Sequence, residues 1–367
     1  MTRRINFINN VIYLGLTMTA LFGIVYVCNG RYNEQLFSAL LKFGISAILV
    51  SFLATLFHEV GHVIGGKKAG FEFSTMVVWF LKWTKRKKRI EFSFTTFGAE
   101  AGYTEMIPTS SENMGKRLKK MTTSALIASF SLIIVGVVPL IITSIPVELF
   151  CFLSMFLPVG VYSFFGNALP MINEGFLNDG AVIKGIKKQD DSIRVSLALL
   201  EIQAEMYSGK RPAEIDEKLY FDLPQLPEDD PYFILLLNAR YNYYLDKADY
   251  VNAKLVSERL TSLVDLMPKQ FVMQVKSDLL YNACTFDFDD KVADDLMYET
   301  EGYLNKFNTA TNVRIKLAYI LNVKKETELL EVFYKKGMKE AKRCQIKGFG
   351  AFEQKLLDEL VAKYKKN

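Results

Sequence analysis

Histidine is almost missing from this chain: 367 residues hold two. Cysteine is sparse as well, and none of the four (Cys28, Cys151, Cys284, Cys344) forms a C-x-x-C pair. That excludes a thiolate metal site and leaves no disulfide framework. No low-complexity segment occurs, and no A-x-A-like cleavage site closes the long apolar run behind Arg3 and Arg4. The N-terminal run therefore reads as a retained membrane helix rather than a cleaved signal peptide.

Charge is missing selectively. Residues 7–28, 36–57, 121–145 and 147–170 are nearly free of it. Each run is about long enough to cross a hydrocarbon core of ~30 Å at about 1.5 Å per residue. From residue 187 onward charged and apolar residues interleave, as in a soluble helical domain. The basic clusters Arg3-Arg4, Lys67-Lys68, KWTKRKKR (82–89), GKRLKK (115–120) and Lys184, Lys187, Lys188 all fall on one side if both termini are cytosolic. The connection Ile145-Pro146-Val147-Glu148, on the other side, carries no positive charge. A net charge of +5 thus reads as positive-inside topology and attraction to the headgroups of a lipid bilayer, not as nucleic-acid binding.

The expected fold class is an α-helical polytopic membrane protein followed by an all-α soluble domain of helical-repeat type. About four transmembrane helices, near 7–28, 36–62, 121–145 and 147–170, form a domain over 1–186, and a cytosolic helical domain covers 187–367. Residues 71–97, FEFSTMVVWFLKW and RIEFSFTTF around TKRKK, have partial β alternation and read as a membrane-associated β-hairpin with a basic tip. GAEAGYTEMIPTS (98–110) reads as a loop. In the tail, DSIRVSLALLEIQAEMYSG is an amphipathic helix ending at Gly209. Residues 239–268 resemble a tetratricopeptide helix pair, with Ala248 where the turn glycine is usual.

What is present, against this scarcity, is His58-Glu59-Val60-Gly61-His62. On a helix this H-E-x-x-H string projects two imidazoles from one face with a carboxylate beside them, the arrangement that binds zinc and keeps a general base at hand. The second apolar run continues into it without a breaker, so the string lies at the cytosolic end of a transmembrane helix. A hydrolytic zinc site needs a third protein ligand and one open position. Gly65 matches the extended H-E-x-x-H-x-x-G-x-x-H form, but Lys68 stands in its last position, so the third ligand is expected to be a carboxylate. Glu100, Glu105, Glu174 and Asp179 are candidates. Asn167-Ala168-Leu169-Pro170 followed by Asn178-Asp179-Gly180 favours Asp179, which emerges after the fourth span on the same membrane face, beside a glycine that permits a tight turn.

An apolar helix ending in HEVGH with a later N-x-x-P…D-G segment resembles the site-2 protease family of intramembrane zinc metalloproteases, over about residues 36–185. The resemblance implies one Zn2+ per chain held by His58, His62 and Asp179, with Glu59 as the catalytic base. It implies that Asn167 helps hold substrate or stabilise the developing oxyanion. It also implies a three-helix core matching spans two to four, and a hairpin that pairs with an unwound substrate strand. The expected activity is endopeptidic cleavage of a membrane-embedded or membrane-associated peptide, in a bacterial cell membrane. The sequence departs from the family in the longer MINEGFLN (171–178), in TTSALIAS (122–129) where a Gly-Pro element is usual, and in lacking a PDZ-like insert. The competing expectation is a non-catalytic zinc-containing receptor. Under either, the tail is expected to bind a cytosolic peptide or protein partner.

Overall fold

The computed structural model describes residues 2–86, 89–95, 101–173, 176–267, 269–362 and 364. Lys87, Lys88, Glu100 and Glu174 lie outside the described residues. The chain divides into two compact units, Met1–Met106 with Gly115–Gln189, and Ile107–Met114 with Asp190–Asn367.

The first unit is built from α1 (Thr2–Tyr32), α2 (Leu36–Lys68), α3 (Met114–Ile141), α4 (Val147–Ser154), α5 (Phe156–Ala168) and α6 (Asp179–Lys188). Four stretches, Asn6–Tyr32, Phe37–Lys68, Met114–Ile141 and Val147–Ala168, are helical, long and apolar enough to cross a membrane. They overlap the four charge-poor runs but differ at the ends. α3 starts at Met114 rather than near 121, because the basic stretch before the apolar run is itself good helix-forming sequence. Its side chains also have work at the adjacent helix end: Arg117 Nε donates to Ala69 O (2.7 Å) and Lys120 Nζ to Lys68 O (3.0 Å), satisfying carbonyls that α2 leaves open. α3 stops at Ile141, soon after Pro139, and Arg31 donates to the carbonyls of Pro139, Leu140 and Ile142 at 2.9 Å each. The fourth run is two helices broken at Met155, since Pro158 has no N–H to return to Ser154 O and so restarts the helix.

The core of this unit joins Ile24, Phe43, Val50, Leu132, Phe150 and Phe156 from five helices. Between α2 and α3 there is little room for side chains. A Cβ on Gly61 would lie 2.7 Å from Ala125 Cα, and one on Gly65 2.4 Å from Ser124 Cβ. The two backbones therefore approach through a small-residue face, the packing mode favoured where lipid gives no hydrophobic drive between helices. Gly65, which matches the extended metal-binding string, serves this contact. On their outer faces α2 and α3 leave Phe37, Ile48, Ile127 and Ile134 exposed.

The expected hairpin is a four-stranded sheet of order β3-β2-β1-β4: β1 (Phe71–Val78), β2 (Leu81–Arg86), β3 (Arg89–Phe94) and β4 (Gly102–Pro108). FEFSTMVVWFLKW is thus two strands, turned at Trp79-Phe80. Trp79 takes a left-handed φ of 56°, a conformation that no Gly or Asn there advertised. Its N–H donates to Ala101 O (2.7 Å) and its ring packs edge-on against Phe52 of α2, 5.6 Å between centroids. The segment read as a loop contains β4, which lies beside β1.

The second unit stacks α7 (Asp191–Ser208), the short α8 (Lys218–Phe221), α9 (Pro231–Asp246), α10 (Tyr250–Ser262), α11 (Lys269–Asn282), α12 (Asp290–Lys306), α13 (Ala310–Asn322), α14 (Leu330–Ala341) and α15 (Lys347–Ala362). Asp230, Asp249, Asp289 and Thr309 cap α9, α10, α12 and α13 through their side chains, so chain polarity signals punctuate the stack. Ala248 occupies the α9–α10 turn with φ 55°, where glycine would fit without strain. Inside, Arg314 of α13 and Glu353 of α15 form a fully buried ion pair (Nε–Oε2 2.8 Å) over the Tyr281 ring.

Asp278 of α11 is buried beside this pair and accepts from Asn238 Nδ2 at 3.2 Å. Burial pushes its carboxyl up to about 6, against the opposing pull of Arg314 and Asn238. A carboxyl whose folded value exceeds its unfolded one stabilises the fold at low pH, and that contribution is lost as pH rises from about 4 through about 6. Asp278→Asn is therefore expected to stabilise the tail at pH 8 by about 1–3 kcal/mol and to do little at pH 4. Thermal unfolding of the full-length variant in detergent at both pH values, followed by hydrogen exchange of tail amides, measures the difference.

Candidate metal centre

His58 and His62 lie one turn apart on α2 with their rings nearly perpendicular, 4.9 Å between centroids. Asp179, the first residue of α6, faces both. Its Oδ2 stands 3.4 Å from His58 Nε2 and 3.4 Å from His62 Nε2. Among the described residues these three side chains are a group able to hold a metal ion, each offering one atom within 4.8 Å of the others.

Their fit to a cation is testable on the polar atoms themselves. Oδ2 of Asp179 is buried with no hydrogen-bond partner, although an orphaned buried acceptor is costly. It points at two nitrogens at a distance too long for a normal hydrogen bond. Donor atoms about 2.1 Å from a tetrahedral zinc stand about 3.4 Å apart. The orphaned oxygen thus stands from each imidazole nitrogen at the separation of two ligands on a small cation. Burial pushes the Asp179 carboxyl up, but the charges of His62 and His58 beside it prevail and hold it down to about 2, so it is ionised as a ligand must be.

Local structure explains how Asp179 arrives there. Asn178 caps α6, its Oδ1 accepting from Ala181 N and from Met171 N, both at 3.0 Å. Its Nδ2 donates to Gly166 O (2.9 Å) and Leu169 O (2.8 Å), tying the end of α5 to the start of α6. α1 holds the intervening loop from the other side: Asn6 Nδ2 donates to Ile172 O (2.7 Å) and Asn9 Nδ2 to Pro170 O (2.9 Å). The longer MINEGFLN stretch carries a minimal hairpin, β5 (Ile172–Asn173) against β6 (Phe176–Leu177). Gly180 serves close approach rather than a tight turn. It is helical, and a Cβ there would lie 2.1 Å from Ala168 O.

On the outer side of the ligands, His58 Nδ1 lies 2.9 Å from Ser129 Oγ of α3, which lies 3.1 Å from Ser163 Oγ of α5. With a cation on Nε2, the His58 proton would sit on Nδ1 and be donated to Ser129, which would set the ring orientation. Glu59 is buried, and Thr104 Oγ1 donates to its Oε2 at 2.6 Å.

The structure therefore gathers His58, His62, Asp179 and Glu59. It does not bring Glu105 to them, because that side chain accepts from Ser74 Oγ at 3.1 Å on the exposed side of the sheet. Asn167 turns back onto its own helix, Nδ2 donating to Ser163 O at 2.9 Å. Ser129, Ser163 and Thr104 carried no signal in the sequence. The only pointer to Asn178 was its place before an Asp-Gly pair, an ordinary helix-cap position.

No protein-family model matches the chain, and no curated protein or solved structure matches it.

Proposed function

We propose that this chain is an intramembrane zinc-dependent endopeptidase of site-2 protease type, multi-pass in a bacterial cell membrane with both termini cytosolic. The observation carrying this reading is the orphaned Asp179 carboxylate facing His58 and His62, with the Glu59 carboxylate on the same helix. That helix is apolar and of membrane-crossing length. An ionisable cluster in such a place is functional by default, because desolvation makes it expensive to keep.

A bound zinc ion supplies Lewis acidity, polarising the scissile carbonyl and making water a nucleophile near neutral pH. His58, His62 and Asp179 would hold that ion. Glu59 accepts the proton of the attacking water and delivers it to the leaving amine. Ser129, through His58 Nδ1, keeps Nε2 unprotonated for the metal. Basic residues near the cytosolic ends, including Lys67, Lys68, Lys187 and Lys188, favour an anionic leaflet on that side. The helical tail receives a cytosolic peptide or protein that selects or presents the substrate.

The test is metal content and cleavage on one preparation. Full-length protein purified in detergent is expected to contain one zinc per chain and to cut at least one of a panel of tagged single-span peptides. Treatment with a chelator should abolish cutting, and one equivalent of zinc should restore it. Zinc without cutting on a broad panel supports the receptor reading instead. Well-folded protein that binds no zinc overturns the site.

A further inference from the structure

β4 approaches the metal centre with one side chain and one gap. Residues 102 and 104 share a face of the strand, as every second residue does. At Gly102 a Cβ would lie 2.7 Å from Thr55 Cγ2 and 3.0 Å from Glu59 Oε1. Two residues on, Thr104 Oγ1 reaches Glu59 Oε2 at 2.6 Å, a short charge-assisted contact. The bare backbone at Gly102 permits the approach that the Thr104 hydroxyl completes. β4 is itself held by its place beside β1 and by Trp79 N–H on Ala101 O at 2.7 Å.

We infer that Thr104 is the positioning residue of the general base. A carboxylate rotates about its terminal bond with two broad, equivalent settings. A fixed donor on one oxygen sets the plane of the carboxylate and leaves the other oxygen without that donor, open to take a proton. The donor comes from the sheet while the metal ligands come from helices, so the base is aimed by an element that plays no part in holding the ion. This inference rests on the proposed function for its catalytic meaning, and its geometry stands without it.

The experiment compares Thr104→Val, Thr104→Ser, Gly102→Ala and Glu59→Gln with wild type, all full length in detergent. Thr104→Val keeps shape and removes the donor. It is expected to retain one metal per chain and to lower kcat about 10–100-fold with KM unchanged. Thr104→Ser, which keeps the hydroxyl, should return kcat to within about threefold of wild type. Gly102→Ala, which pushes β4 off Glu59 while leaving the hydroxyl, should lower kcat as Thr104→Val does. Independently of cleavage, each protein loaded with Co2+ has visible absorption bands sensitive to the groups around the ion. Thr104→Val is expected to shift those bands in the direction that Glu59→Gln does, and Thr104→Ser is not.

Unchanged kcat and unchanged bands in Thr104→Val, with Glu59→Gln altered, overturn the inference and leave the proposed function standing. If wild type cuts nothing, the proposed function fails and the cobalt spectra alone decide the role of Thr104. Folded wild type that takes up no Co2+ and no Zn2+ overturns both.

Discussion

Glu59→Gln is expected to abolish cleavage while leaving the metal in place. The amide keeps the size of the carboxylate and can still meet the Thr104 hydroxyl through its oxygen, but it cannot take a proton. Loss of a positioned general base costs about 10²–10⁴-fold in rate. Because Glu59 is not one of the three ligands facing one another, zinc content should stay at one per chain. Nor should folding suffer, since replacing a buried carboxylate by a neutral amide removes a desolvation penalty. Elemental analysis and single-turnover cleavage on one sample separate the two effects. Loss of metal together with activity would reassign Glu59 from base to ligand. Full activity would remove it from the mechanism.

Asp179→Ala has the opposite signature. It leaves two imidazoles and takes away the anionic ligand, which a structural or hydrolytic zinc site cannot spare. Loss of an outer partner lowers metal affinity about 10–100-fold, and loss of a direct ligand is expected to exceed that. The variant should emerge from purification without zinc and without activity, yet folded. The start of α6 is held by Asn178, whose four hydrogen bonds do not involve the Asp179 side chain. Competition with a chromogenic chelator gives the affinity, and circular dichroism reports the fold. Wild-type zinc affinity in Asp179→Ala would mean that the third ligand lies elsewhere.

The two substitutions lie 120 residues apart in sequence and meet in one site, and this contrast runs through the molecule. Runs of apolar residues announce long helices because burial and hydrogen bonding within a helix are local matters. His58, Glu59 and His62 were legible for the same reason: their spacing alone fixes which face they share. Helix ends were less so. α3 begins seven residues before its apolar run, where Arg117 and Lys120 find the open carbonyls of α2, a partner the sequence does not name. The sheet was half visible, as one hairpin instead of four strands, because its first turn places Trp79 at positive φ without a turn residue. Glycines were visible as punctuation but not as spacers. Gly61, Gly65 and Gly180 each make room for a neighbouring helix or carbonyl, which only the packed structure exposes.

By itself, then, the sequence determined the helical membrane-length segments, the helical character of the second half, and two imidazoles with a carboxylate on one helix face. Each depends on residues within a turn or a run of one another. The tertiary structure brought Asp179, the acid the sequence favoured, against the two imidazoles and showed which hydroxyls attend the cluster. Ser129 lies 71 residues from the histidine it touches, and Thr104 lies 45 residues from Glu59. Contacts at that separation are set by how whole helices and strands pack, through small residues, caps and a sheet edge. No local pattern encodes them.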